Sequence, residues 1–372
     1  MPDSRLFLGL MLLITVNLSC SFTDRRSRMR QSAVNGGSED PAVLVVEKLG
    51  GVCLRARELR DLGHKDPWLS EVEGDPVVEV DCGHKPVSDS DLKKMVLLKQ
   101  LHELRLSDTK VTDAGLKELS SFKHLHALHL KSTLVTDDGL KNLAPLKQLH
   151  LLDLSNTKVS NLGLSSLSVF RQLVELNLSQ TNVTDAGLKE LAALPQLKKL
   201  MLSQTKVTDI GLSQLATLKK LQLLHLNRTL LTDAGLKHLA SLKDLQTLIL
   251  IDTSVTDRGL KNLIAHKQLE ELYLTNTAVT DAGLTELAAF SRLRRLSLYH
   301  TKITDAGLKE LASLRRLEYL DLGRTQVTDA GLKQLRSLRH LEMLNVIRSR
   351  VTEKGVRELE RALPECYILL GW

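Results

Sequence analysis

Aromatic side chains make up only 3% of this 372-residue chain, with two Trp, four Tyr and five Phe. A surface that gripped single-stranded nucleic acid by stacking would interleave more rings with its basic residues, so that class is excluded. Cysteine is scarce as well, four residues in all, with no CxxC or zinc-finger spacing. A disulfide-built scaffold and the common structural zinc sites are therefore excluded. No GxSxG, HExxH or Gly-rich phosphate loop occurs, and no carboxylate pair shares a setting suited to acid–base chemistry. The chain is expected to be no enzyme and to need no cofactor. The one long apolar run, Leu6–Leu18, is too short to cross a bilayer comfortably.

What is present is repetition. From Leu101 a 24-residue pattern, LxxLxLxxTxVTDAGLKxLxxLxx, returns without a slip. Its Thr recurs at Thr109, Thr133, Thr157, Thr181, Thr205, Thr229, Thr253, Thr277, Thr301 and Thr325, with Ser349 in the last copy. Its Gly recurs in step from Gly115 to Gly355, and a degenerate copy precedes these with Val77, Val80, Cys82 and Val87 in register. Such a period marks a solenoid whose units stack on their neighbours. One unit could not fold alone. Seven apolar side chains (Leu101, Leu104, Leu106, Val111, Leu116, Leu119 and Phe122) stabilise by about 1.5–3 kcal/mol each when buried. Ordering the unit's backbone costs roughly 1–2 kcal/mol per residue.

Each register has a physical role. Alternation about Leu104 and Leu106 predicts a short strand with one buried face. Val111, Leu116, Leu119 and Phe122 then fall at helical intervals, so a helix should back the strand. Thr112 and Asp113 suit its N-cap and first turn, where the helix dipole favours an acid. Gly115 lies in that turn at about 1 kcal/mol against Ala, and its recurrence predicts crowding where a Cβ would clash. The Thr109 column should be buried, with hydroxyls bonded to loop backbone. The expected fold class is α/β: a horseshoe solenoid with a parallel sheet inside and helices outside.

These residues resemble the leucine-rich repeats of the ribonuclease-inhibitor-like class, close to the subgroup that carries Cys where this chain has Thr, and resemble exported bacterial members. The resemblance covers roughly residues 77–372. It implies protein recognition through the concave face, although one such fold serves many tasks.

The ends differ from the repeats. Arg5 followed by Leu6–Leu18 reads as a signal peptide over residues 1–20. Cys20 after Ser19 fits a lipoprotein site, but Asn17 stands where such sites place Leu, leaving acylation and ordinary cleavage as alternatives. Residues 21–40, with Arg25, Arg26, Arg28 and Arg30, read as a flexible basic tether. Residues 41–86 read as an N-terminal α/β cap: a helix from Asp40-Pro41 to Gly50-Gly51, strands at Val52–Leu54 and Pro76–Val80, and Trp68 between them. Repeats fill 87–355, and residues 356–372 close the array, with Pro364 stopping the last helix and Cys366–Leu370 as a final strand. Cys82 reads as a small core residue, with a Cys53–Cys82 bridge as the alternative in an oxidising compartment.

The formal net charge is +7, which by itself suggests an anionic partner. The register explains it otherwise. Basic residues follow the helix ends (Lys123, Lys147, Arg171, Lys219, Lys243, Lys267, Arg315, Arg339) while acids begin the helices, matching the dipole. No nucleic-acid partner is expected, and membrane contact only through the signal or a lipid anchor. His102, His126 and His150 share one register in three consecutive repeats. Strands about 4.8 Å apart would stack them into a rim column. Three such rings could hold a transition metal, but solvated rim residues are the preferred reading, so no metal is expected.

The concave positions match 103, 105 and 107 in each copy. Early copies place mostly small or charged residues there (Glu103, Arg105, Ser107, Lys131, Ser155, Glu175, Asn177, Ser179), as a solvated sheet would. From the sixth repeat they become Leu223, His225, Ile249, Ile251, Tyr273, Arg295, Tyr299, Tyr319, Asp321, Met343 and Ile347, bordered by Arg228, His300, Arg324 and Arg348. Tyr, Arg and exposed apolar residues are the usual anchors of a binding surface. The expectation is a non-catalytic scaffold that binds a protein or envelope component in repeats six to eleven, exported to the periplasm or cell envelope. The alternative is an intracellular adaptor resembling the repeat half of F-box ubiquitin-ligase proteins. It would need a helical docking module that residues 1–40 do not suggest.

Overall fold

The computed structural model describes residues 40–371. The signal peptide, Cys20, almost all of the tether and Trp372 lie outside the described residues.

Among the described residues fourteen strands form one open sheet in strict sequence order. They are β1 (Val52–Arg55), β2 (Val77–Asp81), β3 (Glu103–Arg105), β4 (Ala127–His129), β5 (Leu151–Asp153), β6 (Glu175–Asn177) and β7 (Lys199–Met201). The order continues through β8 (Leu223–His225), β9 (Thr247–Ile249), β10 (Glu271–Tyr273), β11 (Arg295–Ser297), β12 (Tyr319–Asp321), β13 (Met343–Asn345) and β14 (Tyr367–Leu369). From β2 onward the pairing is parallel, Leu104 facing Leu128 and Leu320 facing Leu344. The sheet departs from the expected all-parallel form at one end, where β1 runs antiparallel to β2. The cap segment between these two strands turns back rather than crossing over, which only an antiparallel return permits.

Behind the strands the helices are shorter than the apolar spacing suggests. The helix Asp113–Glu118 gives way to a 3₁₀ turn at Leu119–Ser121, and several repeats do the same. The tighter turn rises more per residue, which lets one unit close within its 24 positions. The apolar registers still converge: Leu104, Leu106, Val111, Leu116, Leu119 and Phe122 are buried in one core running from Ala42 to Cys366.

Two hydrogen-bond systems repeat along the array. Thr109 is buried and its Oγ1 donates to Leu106 O at 2.7 Å, closing the turn after the strand; Thr133 to Thr325 repeat the bond. The second system ties each unit to the next. Thr136 N and Oγ1 donate to Asp113 Oδ1 and Oδ2 at 2.8 and 2.6 Å, a pairing that recurs from Asp89–Thr112 to Asp329–Thr352. The acid at the helix start is thus an inter-repeat clamp as well as a dipole partner. The recurrent Gly is what makes room for it. A Cβ on Gly115 would overlap Asp89 Oδ1 and lie 3.0 Å from Leu92 Cδ1.

The cap begins with a helix over Pro41–Lys48 whose Asp40 carboxylate accepts from Ala42 N at 2.8 Å. A second small core, including Leu54, Leu59, Leu69 and Val78, packs with Trp68. The Cys53–Cys82 bridge is not formed; both cysteines are free. Burial pushes both thiols up to about 12, which makes them inert core residues.

Candidate recognition site

On the first strands the charged concave residues are packed rather than solvated. Arg105 is 8% exposed and Glu79 3%. The Arg105 guanidinium meets Glu103 and lies 3.9 Å from Glu79, while His129 Nε2 is 3.0 Å from Glu103. The expected solvated surface is corrected at Arg105 and Glu103, where neighbouring strands bring opposite charges into line, and at the buried Ser155, whereas Lys131 is exposed and Ser107, Glu175, Asn177 and Ser179 are half-buried.

Of the apolar residues expected to stand exposed in the C-terminal half, Leu223, Ile249, Ile251 and Tyr273 are covered, while Met343 and Ile347 are half-buried. Ile249, Ile251 and Tyr273 are 1%, 0% and 5% exposed and form a cluster of their own; Leu223, paired with Thr247, is buried as well. Large side chains on a concave surface converge, and strands less than 5 Å apart leave them only each other to pack against. The Tyr273 hydroxyl donates to Glu271 at 3.2 Å, and Arg295 lies 3.7 Å from the same carboxylate.

Asp321 is buried too. It accepts from Gly323 N at 3.0 Å, Asn345 Nδ2 at 2.9 Å, the Tyr319 hydroxyl at 3.3 Å and Ser297 Oγ at 3.4 Å. Burial outweighs these bonds and pushes its carboxyl up to about 6. His225 is half-buried; burial draws it down to about 4, and its Nε2 has no hydrogen-bond partner among the described residues.

Reachable residues remain at this end. Arg295, Tyr299, Tyr319 and Arg324 are half-buried and His300 is exposed. Tyr299 rests over Gly323, where a Cβ would come within 2.7 Å of its ring. His300 and Arg324 both adopt left-handed backbone, with φ of 55° and 54°. Of the proposed patch, therefore, an edge is accessible and the middle is filled.

The opposite end holds the open space. His102, His126 and His150 form the expected column, with ring centroids 4.9 and 5.2 Å apart and planes 12° and 23° from parallel. The cap adds a fourth ring that sequence reasoning missed: Trp68 stacks on His102 at 4.0 Å and 11°. Trp68 lies on a 3₁₀ turn, Pro67–Glu71, pinned by Arg60 Nη2, which donates to Val72 O at 2.5 Å and Leu69 O at 3.3 Å. One of only two tryptophans in the chain, placed in the cap, was the available signal.

Between this turn and the strands lies a cavity of about 510 Å³. The aromatic rings form one wall, Asp66, Pro67 and Glu71 belong to the cap, and Glu103, Ala127 and Leu151 come from the strands. His102 is drawn down to about 4 by burial, with His126 and His124 adding to the effect; burial also lowers His126. Face-to-face stacking sets the ring nitrogens side by side rather than converging on one point. Among the described residues no group of three or more His, Cys, Asp or Glu side chains is placed to hold a metal ion. No described helix is long and apolar enough to cross a membrane.

A leucine-rich repeat region profile matches residues 85–328. No curated protein matches the chain in sequence. Among solved structures, an internalin from Listeria monocytogenes is 20% identical, with a TM-score of 0.60 over 84% of this chain and 93% of that one. A leucine-rich repeat protein from Leptospira interrogans is 20% identical, with a TM-score of 0.51 over 74% of this chain and 80% of that one. At these identities the likeness is one of fold.

Proposed function

The chain belongs to the leucine-rich repeat family, and from that premise we propose that it is a non-catalytic scaffold gripping a protein or envelope partner on its concave face. Proteins of this family are protein-interaction scaffolds. The observation that carries the reading is the accessible edge of Arg295, Tyr299, His300, Tyr319 and Arg324 over a sheet whose backbone is fully registered. Such a surface is preorganised, so little ordering entropy is lost on binding. Tyr and Arg contribute most per residue at such sites. The unit is assigned to the ribonuclease-inhibitor-like class on its helix-bearing 24-residue pattern. Export to the envelope rests on the Leu6–Leu18 run and Cys20.

The test is crosslinking capture from an envelope fraction with the intact chain and a Tyr299/Arg324/Tyr319→Ala variant, both checked by circular dichroism. A partner held by the first and lost by the folded second supports the reading. Equal capture by both removes the concave edge from recognition, and capture by neither removes the scaffold role in that compartment.

A further inference from the structure

The cavity between cap and rim has a chemistry of its own. His126 Nδ1 lies 2.6 Å from His124 O, and His150 Nδ1 lies 2.6 Å from Gln148 O. A carbonyl can only accept, so Nδ1 carries a proton in both rings; His126 Nδ1 also lies 3.0 Å from His102 Nδ1, and the neutral His126 ring leaves its Nε2 as an acceptor. Burial disfavours the protonated form of His102 and His126, which keeps the column's inner rings neutral.

On the turn that carries Trp68, Asp66 and Glu71 add two carboxylates to the lining, and no Lys or Arg lines the space. Asp66 is paired with His64 at 3.3 Å, and Glu103 is occupied by Arg105 and His129. Glu71 has no ion-pair partner among the described residues. Glu71 thus stands beside π-electrons with no Lys or Arg in the lining, while Ala127 and Leu151 offer an apolar floor. An ammonium or guanidinium satisfies acceptors of this kind and is drawn to aromatic rings. A short aliphatic stem suits the floor. The volume, about 510 Å³, is that of a small-ligand pocket and admits one long side chain with its adjoining backbone.

We propose that this cavity is a binding site for an alkylammonium or alkylguanidinium group, the chemistry of a lysine or arginine side chain on a partner protein. Only the source of the guest rests on the recognition reading; the chemistry of the site stands without it.

The test uses the full chain carrying Trp372→Phe, so that Trp68 is the only indole. N-acetyl-lysine amide, N-acetyl-arginine amide and the neutral N-acetyl-norleucine amide are titrated while Trp68 fluorescence is followed. The cationic amides should give a saturable change that the neutral amide does not. Glu71→Gln should weaken them about 5-fold, the upper value for an exposed ion pair, whereas Leu162→Ala, at an exposed helix position, should leave them unchanged. The proposal is overturned if the neutral amide binds equally, if no amide saturates, or if Glu71→Gln, shown folded by circular dichroism, binds as before. It is also overturned if zinc ion alone saturates the site while the amides do not. Amide binding without envelope capture would sink the scaffold reading and keep the cavity; capture without amide binding would do the reverse.

Discussion

Gly211→Ala separates a local account of the repeat from a structural one. Within a helix the change should stabilise by about 1 kcal/mol, because Ala is the better helix former. The structure reverses the sign. Gly211 lies in the first turn of the helix Asp209–Gln214, and a Cβ there would overlap Asp185 Oδ1 of the preceding unit and sit 3.0 Å from Leu188 Cδ1. Asp185 is held by Thr208 N at 2.7 Å and Thr208 Oγ1 at 2.6 Å. Hydrogen bonds to a charged group contribute about 1.5–3 kcal/mol each. Displacing the carboxylate therefore removes about 3 kcal/mol at the low end, and the helix gain leaves a net loss of about 2 kcal/mol.

Urea unfolding followed by circular dichroism measures the total, and hydrogen exchange of the Thr208 amide reports the clamp directly. The amide should exchange faster in Gly211→Ala than in the parent. The decisive measurement is the cycle with Asp185→Ala. Once the carboxylate is gone, the added methyl meets nothing charged, and Gly211→Ala should become neutral or slightly stabilising. The coupling between the two sites is then about 2 kcal/mol or more. A Gly211→Ala variant at least as stable as the parent, or a cycle without coupling, would refute the clamp as the reason for the glycine.

Two further outcomes follow from the same contacts. At one step the acid is replaced by Asn161, whose Oδ1 accepts from Thr184 N at 2.9 Å while its Nδ2 donates to Thr184 Oγ1 at 2.8 Å. Asn161→Asp lets the hydroxyl turn and donate, as elsewhere, and should raise urea-measured stability by about 1 kcal/mol. Asp321 has a folded pKa raised from 3.8 to about 6. Its stabilising contribution is complete below the unfolded value and is lost as pH rises through about 6. The urea-measured stability of the parent should therefore fall, relative to Asp321→Asn, between pH 4 and pH 7 by up to about 3 kcal/mol. Parallel pH profiles for the two proteins would refute the assignment.

The scaffold was legible because its signals were repeated. Leu104, Val111, Gly115 and their counterparts each carry one physical role in every unit, so chance composition cannot imitate them. The clamp was hidden for a different reason. Thr112 and Asp113 are accounted for by capping inside one helix, and the bonding partner lies 23 residues away in the next unit. The covered state of Ile249, Ile251 and Tyr273 was hidden because a period of two says which face a residue takes and nothing of how crowded that face becomes. Trp68 was hidden because the cap has no register to place it against His102.

The left-handed turn before each Thr supplies an argument that repetition alone does not. Every unit has one non-glycine residue with φ between 52° and 59° there, a conformation that costs most side chains roughly 1–2 kcal/mol and that Asn and Asp tolerate best. The N-terminal units use His84, Asp108, Ser132, Asn156, Gln180 and Gln204. From β8 onward the position becomes Arg228, Asp252, Asn276, His300, Arg324 and Arg348. Arg228 is tied to Asp252 at 2.9 Å, and Asn276 donates to Asp252. His300, Arg324 and Arg348 continue the row toward the C-terminal edge. Stability alone favours Asn at these turns, as Asn156 and Asn276 illustrate. Basic side chains recur at this strained turn from Arg228 onward, with His300 next to Tyr299, and His84 shows that the first unit accepts one there too.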